Sequence, residues 1–344
     1  MSGDPRYSKP DMYIVTPRVP RQPAGIPNYF TEMTRKAEEM GYDRAWNIET
    51  NDRDAFAQAT LQMLGSSTIG VGTNIVSYFS RTPTLLAMGA FTLDELSGGR
   101  FILGIGPGGT QIITHGHGIP FEKPVRRCRQ TLEIIRPLLR GERLTYEGPD
   151  FHIQRDFRLR LGVEGRTVPI YISGINPKML QLAGEMADGV IMTHFPLEAL
   201  EDVKKNIAIG AERAGRDPSE VHLLSNQPVG ANRGDGPTNL RKAVCWHLAS
   251  ETFNWFVGHT EWGELREKVR NLWWENRREE AAAAAEDSFI ETFGLGYKDD
   301  VIQERITKYL EAGVVPVLDV HGVRKGHEEE DTMHVLKLGT ETFR

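Results

Sequence analysis

The glycines in the stretch from Arg100 to Gly118 could take part in binding a ligand. In the sequence RFILGIGPGGTQIITHGHG, Gly104, Gly106 and Gly109 follow the spacing G-x-G-x-x-G directly after an apolar run. A dinucleotide clamp with this spacing also needs a helix that begins at the glycines and an acidic residue about 20 positions later. The residues that follow are β-branched residues, glycines and a proline, so the sequence predicts no helix here. We therefore interpret the glycines as a close approach of the backbone to a flat ligand.

Four titratable side chains are candidates for acid–base catalysis. His115 and His117 belong to the same glycine-rich stretch, Glu49 ends a predicted strand, and His194 follows another. Imidazole titrates near neutral pH, and a carboxylate at a strand end can move a proton. Glu49 has two alternative roles, as a hydrogen-bond acceptor for a cofactor or as a helix cap, and His194 could be a solvated loop residue. The histidine pair lacks a third ligand, so no metal site is predicted.

A candidate anion site lies in the sequence YISGINPKM. Ser173, Gly174, Ile175 and Asn176 leave a predicted strand and enter a helix that begins at Pro177. Free backbone N–H groups and the positive end of a helix favour a phosphate at such a junction. The alternative is an ordinary capped junction between a strand and a helix.

The elements that position these residues alternate between short β-branched runs and longer helical patterns. Eight such pairs are present, and eight right-handed units close most economically into a barrel. We expect one α/β domain spanning residues 1–344, a (β/α)8 TIM barrel, with a doubly wound open sheet as the alternative. The predicted strands are 12–17, 44–49, 68–76, 100–106, 168–173, 188–193, 221–230 and 314–320.

Two segments exceed a minimal barrel, one after the fourth predicted strand and one after the seventh. Residues 106–120 are predicted to form a loop rich in glycine and histidine. Residues 231–299 are predicted to form a helical insertion with a large aromatic content. Packing against the core or a dimer partner is one interpretation of this insertion, and a lid over a substrate pocket is the other.

Composition indicates a small-molecule partner. The net charge of −6 gives no electrostatic basis for binding nucleic acid or an anionic membrane. No apolar run reaches the roughly 20 residues of a membrane span, and the N-terminal segment lacks a signal peptide's apolar region, so a cytoplasmic location is expected. Cys128 and Cys245 have unrelated surroundings in the sequence and predict neither a disulfide framework nor a zinc site.

Three motifs resemble the bacterial luciferase-like superfamily of flavin- and deazaflavin-dependent oxidoreductases. They are GVGTNIVSYFSRTP, FTLDELSGGRFILGIGPGG and VPIYISGINPKMLQLAGEMADGVIMT, in that order. The similarity runs from about residue 12 to 215 and resumes near 300. It is greatest to the branch that uses coenzyme F420, which includes methylenetetrahydromethanopterin reductases and F420-dependent sugar and alcohol dehydrogenases.

The resemblance implies a barrel, usually dimeric, with the cofactor ring across the C-terminal mouth. A non-proline cis peptide, here between Asn74 and Ile75, would lie behind the ring. The resemblance assigns the phosphate to backbone groups of three residues and the ring's surroundings to three others. The phosphate residues are Ser173, Gly174 and Ile175. The residues around the ring are Gly106, Gly108 and Thr193.

The chain departs from the sugar and alcohol dehydrogenases of this branch at their acid–base positions. The positions of their Asp-His pair and of their second acid are occupied here by Glu49, Thr50 and Gly109. We expect hydride transfer between F420 and a small organic substrate, in a homodimer that depends on a separate F420 or flavin reductase. The alternatives are an FMN-dependent monooxygenase that uses reduced flavin and oxygen, and a barrel that binds the cofactor without catalysis.

Overall fold

A computed structural model describes residues 8–13, 26–160 and 167–342 of the chain. Eight parallel strands close into a barrel within these residues, and this confirms the predicted TIM barrel over the open sheet. Of the first predicted strand, residues 14–17 lie outside the described residues. The strands are β1 Asp11–Tyr13, β2 Arg44–Asn47, β3 Gly70–Thr73, β4 Val76–Ser77, β5 Phe101–Gly106, β6 Leu144–Glu147, β7 His152–Phe157, β8 Ile170–Ser173, β9 Gly189–Thr193, β10 His222–Gly230 and β11 Val315–Gly322.

Helices join the barrel strands and cover the outside of the barrel. They are α1 Ile26–Met40, α2 Ala55–Leu64, α3 Pro83–Ser97, α4 Pro124–Leu139, α5 Pro177–Met186, α6 Leu200–Ala214, α7 Gly236–Leu248, α8 Asn254–Val257, α9 Gly263–Trp274, α10 Arg278–Ala284, α11 Asp287–Thr292, α12 Asp299–Glu311 and α13 Glu328–Glu341. None of these helices is long and apolar enough to cross a membrane.

The order of strands around the barrel is β3, β2, β1, β11, β10, β9, β8, β5, and β5 pairs again with β3 to close it. β4 continues the line of β3 after a break at Asn74 and Ile75, and it pairs with β5. The two short strands therefore form one barrel position. Because all neighbours are parallel, the C-terminal ends of the strands meet at a single mouth.

Large side chains fill the barrel interior below the mouth. They are Tyr13, Trp46, Tyr171, Ile191, Leu224, Val315 and Val317. Below them, the Trp46 indole donates to Asp11 at 2.9 Å, and the Tyr171 hydroxyl lies 2.8 Å from Nδ1 of His222. The barrel is therefore a packed core, and a ligand can enter only at the mouth.

Local sequence explains where the helices around the mouth begin. Thr82 accepts the N–H of Leu85 at 3.2 Å, and Pro83 occupies the first turn of α3. Asn176 likewise accepts the N–H of Met179 at 3.3 Å ahead of α5. These caps satisfy N–H groups that have no partner inside the helix.

Two elements differ from the sequence-based prediction. β6 and β7 form an unpredicted antiparallel hairpin between α4 and β8, and its turn residue Asp150 accepts hydrogen bonds from Arg126 and Gln130 of α4 at 2.8 and 2.7 Å. The segment after β5 includes a π-helical turn, Ile112–Gly116, although no helix was predicted there. Ile113 is buried in this turn against Gly108, so packing outweighs the weak helix propensity of β-branched residues.

Five helices, α7 to α11, occupy the segment between β10 and α12. α7 begins beside the end of β11, because a Cβ on Gly322 would lie 3.0 Å from Cβ of Leu240. Near the end of α7, the His247 ring lies 6.1 Å from that of His321 and 4.4 Å from that of His194. The helix therefore crosses the C-terminal ends of β11 and β9 at the mouth.

Candidate active site

A pair of buried asparagines forms the floor of the mouth. The Asn74 side-chain amide donates to Oδ1 of Asn226 at 2.6 Å, and the Asn226 amide donates back at 3.0 Å. The Asn226 amide also lies 3.5 Å from the Thr193 hydroxyl, and the Tyr13 hydroxyl donates to the Asn74 carbonyl at 2.9 Å. Since a buried amide is costly to leave unpaired, this network holds Asn74 in one orientation.

The peptide bond between Asn74 and Ile75 is cis, as the resemblance implied. The carbonyl of Ile75, in the next peptide group, accepts the N–H of Glu49 at 3.2 Å. On the other side, a Cβ added to Gly106 would lie 2.7 Å from Cγ1 of Ile75 and 3.1 Å from Cβ of Ser173. The glycine is thus required for this close packing.

Four residues that the resemblance assigns to the cofactor site, Asn74, Gly106, Ser173 and Thr193, lie together at the mouth. Asn74 contacts Thr193 through Asn226, and Gly106 separates Ile75 from Ser173. Ile75, Ser173 and Thr193 stay partly exposed, whereas Asn74 is buried beneath them. An apolar surface bordered by hydroxyl groups fits a flat aromatic cofactor with polar edges. Gly108, at φ +77°, forms the turn beside it.

The predicted phosphate site has fewer free backbone N–H groups than the sequence indicated. The N–H of Gly174 donates to the Ile191 carbonyl at 3.0 Å within the barrel, so it is not free for a ligand. The N–H groups of Ile175 and Asn176 make no hydrogen bond within the described part of the chain. They precede the ten-residue helix α5, and the positive end of that helix favours an anion.

Glu49 is held in an ion-pair network. Its carboxylate accepts a hydrogen bond from Nη2 of Arg81 at 2.6 Å. It also accepts one from the N–H of Ala55, the first residue of α2, at 3.2 Å. Arg81 also pairs with Asp54 and lies over the Phe56 ring, 4.9 Å from its centroid. Glu49 therefore supports the start of α2 beside the N-cap residue Asp54, and its second oxygen accepts a hydrogen bond from Nε of Arg81 at 3.3 Å.

We expect Glu49→Gln to change stability more than catalysis. The glutamine keeps an acceptor for the Ala55 N–H but loses the charge that pairs with Arg81, which retains Asp54. We predict a loss of about 1 kcal/mol in the free energy of unfolding, measured in urea, and a turnover within about threefold of wild type. A tenfold or larger loss of kcat at unchanged stability would instead make Glu49 an acid–base group.

His194 is not available for acid–base chemistry at the mouth, contrary to one sequence-based hypothesis. Its φ of +52° turns the residue away from the strand, and the side chain is only 1% exposed. Nδ1 lies 3.0 Å from the Phe293 carbonyl, and burial, followed by the nearby His247, holds the pKa of His194 well below 6.5. The inserted helices therefore cover this residue and keep its ring neutral.

His115 and His117 are exposed on the π-helical turn and the residue after it. Within the described part of the chain, no hydrogen bond or ion pair joins either ring to the floor residues, so their part in catalysis stays a prediction. Within residues 8–13, 26–160 and 167–342, no cluster of three or more His, Cys, Asp or Glu side chains is arranged to hold a metal ion.

Sequence reasoning missed three polar residues at the mouth. Asn226 completes the floor, and Asp319 and His321 stand at the end of β11 as an ion pair of 2.9 Å. A signal for the ion pair was present, because in VVPVLDVHG the two residues alternate with apolar positions and so share one face of the strand.

Comparison with known proteins agrees with this geometry. A family model for luciferase-like monooxygenases matches residues 12–315. The chain is 32% identical over 290 residues to a 5,10-methylenetetrahydromethanopterin reductase of Archaeoglobus fulgidus. The aligned region covers 82% of this chain and 86% of the relative.

Two solved structures share the fold. The coenzyme F420-dependent tetrahydromethanopterin reductase of Methanopyrus kandleri superposes with a TM-score of 0.78 at 22% identity, covering 97% of each chain. An F420-dependent secondary alcohol dehydrogenase, solved with an F420–acetone adduct, superposes with a TM-score of 0.72 at 18% identity, covering 93% of this chain and 96% of the other. By its sequence match and its barrel, the chain belongs to the luciferase-like monooxygenase family.

Proposed function

We propose that this enzyme is a coenzyme F420-dependent oxidoreductase that moves a hydride between the deazaflavin and a small organic substrate. The observation that carries the proposal is the convergence of Asn74, Gly106, Ser173 and Thr193 around one partly exposed surface at the barrel mouth. The 32% identity to a methylenetetrahydromethanopterin reductase across most of both chains supports F420 as the cofactor.

Each part of the mouth has a separate task in this proposal. When bound, the deazaflavin carries the hydride. Asn226 and Tyr13 fix the Asn74–Ile75 peptide group, so that the Ile75 side chain presents an apolar surface to one ring face. The N–H groups of Ile175 and Asn176, at the start of α5, hold the phosphate. The opposite face of the ring is left for the substrate.

The first substrate to test is methylenetetrahydromethanopterin, because a relative that is 32% identical over 82% of this chain is named for it. Secondary alcohols and their ketones form the second group. The helices of residues 231–299 lie over the mouth through α7 and are proposed to shape the substrate pocket.

The test is a titration with oxidised F420, followed by cofactor absorbance and by the intrinsic fluorescence of the protein. We expect micromolar binding, and reoxidation of reduced F420 when a substrate from either group is added. FMN is titrated in parallel, with oxygen consumption measured in the presence of reduced FMN. Binding of FMN but not of F420, with substrate-dependent oxygen consumption, would replace the proposal with a monooxygenase. Binding of F420 without turnover of either group would favour a non-catalytic binder.

We further propose that the chain acts as a single domain and as a homodimer in the cytoplasm, with a separate reductase supplying reduced cofactor. An apolar stripe on the outside of α3 supports the dimer: Leu85, Met88 and Leu96 are 47, 49 and 63% exposed.

Because these positions follow helical spacing, one partner surface could cover all three. We expect Met88→Glu to shift the protein from dimer to monomer in sedimentation velocity at micromolar concentration, whereas Lys36→Glu, on α1, leaves a dimer. A monomeric wild-type protein would contradict the proposal.

A further inference from the structure

The end of β11 presents a carboxylate and an imidazole to the barrel mouth. Val315 and Val317 of this strand belong to the barrel interior, so Asp319, two residues further on, continues the same face toward the mouth. Nε2 of His321 lies 2.9 Å from Oδ2 of Asp319, which places both side chains on that face.

The height of this pair above the floor follows from the strand register. Asn226 of the floor pairs with Val317, and Pro228 pairs with Asp319. Two residues along a strand rise about 7 Å. The Asp319–His321 pair therefore lies above the floor asparagines, on the wall of the mouth.

A β-bulge in the pairing of β10 with β11 sets the direction of the His321 side chain. The pairing of β10 with β11 runs from Val229 with Val320 to Gly230 with Gly322, so His321 is an extra residue with no partner in β10. Gly230 and Gly322 allow the backbones to meet at the bulge, since a Cβ on Gly230 would lie 2.7 Å from Cα of Gly322. β-bulges of this kind redirect a side chain and occur next to active sites.

Both members of the pair have unused hydrogen-bonding capacity. Oδ1 of Asp319 is buried without a hydrogen-bond partner among the described residues, although the residue is only 8% exposed. Nδ1 of His321 makes no hydrogen bond in the same part of the chain, and its side chain is 28% exposed. A buried acceptor without a partner, beside a partly exposed imidazole, is typical of a site completed by a ligand.

The titratable groups around His321 are Asp319 on its own strand, His247 on α7 and, behind His247, His194 after β9; Tyr13 on β1 lies near Asp319. Burial opposes protonation of His321, but the Asp319 carboxylate raises its pKa above 6.5. Burial and then the charge of His321 lower the pKa of His247 to about 4. A proton is thus favoured on His321 over the neighbouring His247.

We propose that His321, positioned by Asp319, is the general acid–base group of the hydride transfer. It takes the place of the acid–base residues of the sugar and alcohol dehydrogenases, whose positions are occupied here by Glu49, Thr50 and Gly109. This inference rests on the proposed function. It names the residue that exchanges a proton with the substrate.

The proton and electron balance is as follows. Reduction of a carbonyl carbon adds a hydride to carbon and a proton to oxygen. The hydride and its electron pair come from the reduced deazaflavin, which is oxidised, and the proton comes from Nδ1 of His321. In a methylene group bridging two nitrogens, the hydride goes to carbon, one C–N bond breaks, and the released nitrogen takes the proton. The neutral His321 ring stays hydrogen-bonded to Asp319 and regains a proton from water at the mouth.

The test compares His321→Gln and Asp319→Asn with His334→Gln in the full-length protein. His334 is a matched control, because it is also ion-paired, with Asp299 at 3.0 Å, and its side chain is 23% exposed on α13. We expect His321→Gln to lower kcat at least 100-fold, with KM and the Kd for F420 within about threefold. In wild type, the reductive rate falls as the pH rises through the pKa of His321. Asp319→Asn moves this fall to lower pH, because the carboxylate that raises the pKa is gone.

A second readout does not depend on turnover. In ¹⁵N-histidine NMR, saturating oxidised F420 should shift the His321 resonances and leave those of His334 unchanged. Unshifted His321 resonances, or wild-type kcat and pH profile in folded His321→Gln, would overturn the inference alone. Failure of the wild-type protein to bind F420 would instead overturn the proposed function, and this inference with it.

Discussion

Substitution of Gly106 by valine is expected to weaken F420 binding by about 10- to 100-fold while the barrel remains folded. A Cβ at this position would lie 2.7 and 2.9 Å from Cγ1 and Cδ1 of Ile75, and 3.1 Å from Cβ of Ser173. Such overpacking costs about 1–3 kcal/mol, and we expect the Ile75 side chain to relieve it by moving toward the proposed position of the ring.

The measurement is the Kd for oxidised F420, determined on protein whose fold is checked by circular dichroism. Gly263→Val is the matched control, since a Cβ at the start of α9 meets nothing within 4 Å. An unchanged Kd in Gly106→Val would show that the ring does not rest on Ile75, and the cofactor site would have to be placed elsewhere in the mouth.

The fold was predictable because each barrel strand carries its own local signal. β-branched runs bounded by capped helices identify the strands, and β10 begins within one residue of its predicted start at 221. The hairpin of β6 and β7 escaped prediction because its residues are mostly polar and exposed, and its stability depends on contacts such as that of Asp150 with α4.

The site was predictable only where resemblance or chain position determined it. The cis bond at Asn74 came from the family motif, whereas its partner Asn226 lies 152 residues away and is brought close only by barrel closure. His194 has the expected position after β9, but its backbone conformation and the inserted helices bury it. His321 was missed because the predicted strand ended at 320, one residue before the bulge.

Acid is expected to destabilise the protein through the histidines under α7. The pKa of His247 is about 4 in the folded protein, because of burial and then the charge of His321, against 6.5 in an unfolded chain. The unfolded state therefore binds more protons between these values, and stability falls as the pH falls from about 6.5 to about 4. Allowing for partial exposure, His247 contributes about 2–3 kcal/mol to this loss, and buried His194 adds to it in the same direction.

Urea unfolding at pH 7 and at pH 4.5 measures this effect. His247→Phe keeps a ring beside Trp246 but cannot take up a proton, so its free energy of unfolding should fall by about 2 kcal/mol less than that of wild type between the two pH values. His259→Phe is the control: His259 lies 2.7 Å from the Trp255 carbonyl four residues earlier, as His247 lies 3.0 Å from that of Ala243. Equal losses in wild type and His247→Phe would show that His247 has the same pKa in the folded and unfolded protein, which would contradict a lowered pKa of His247 beside His321.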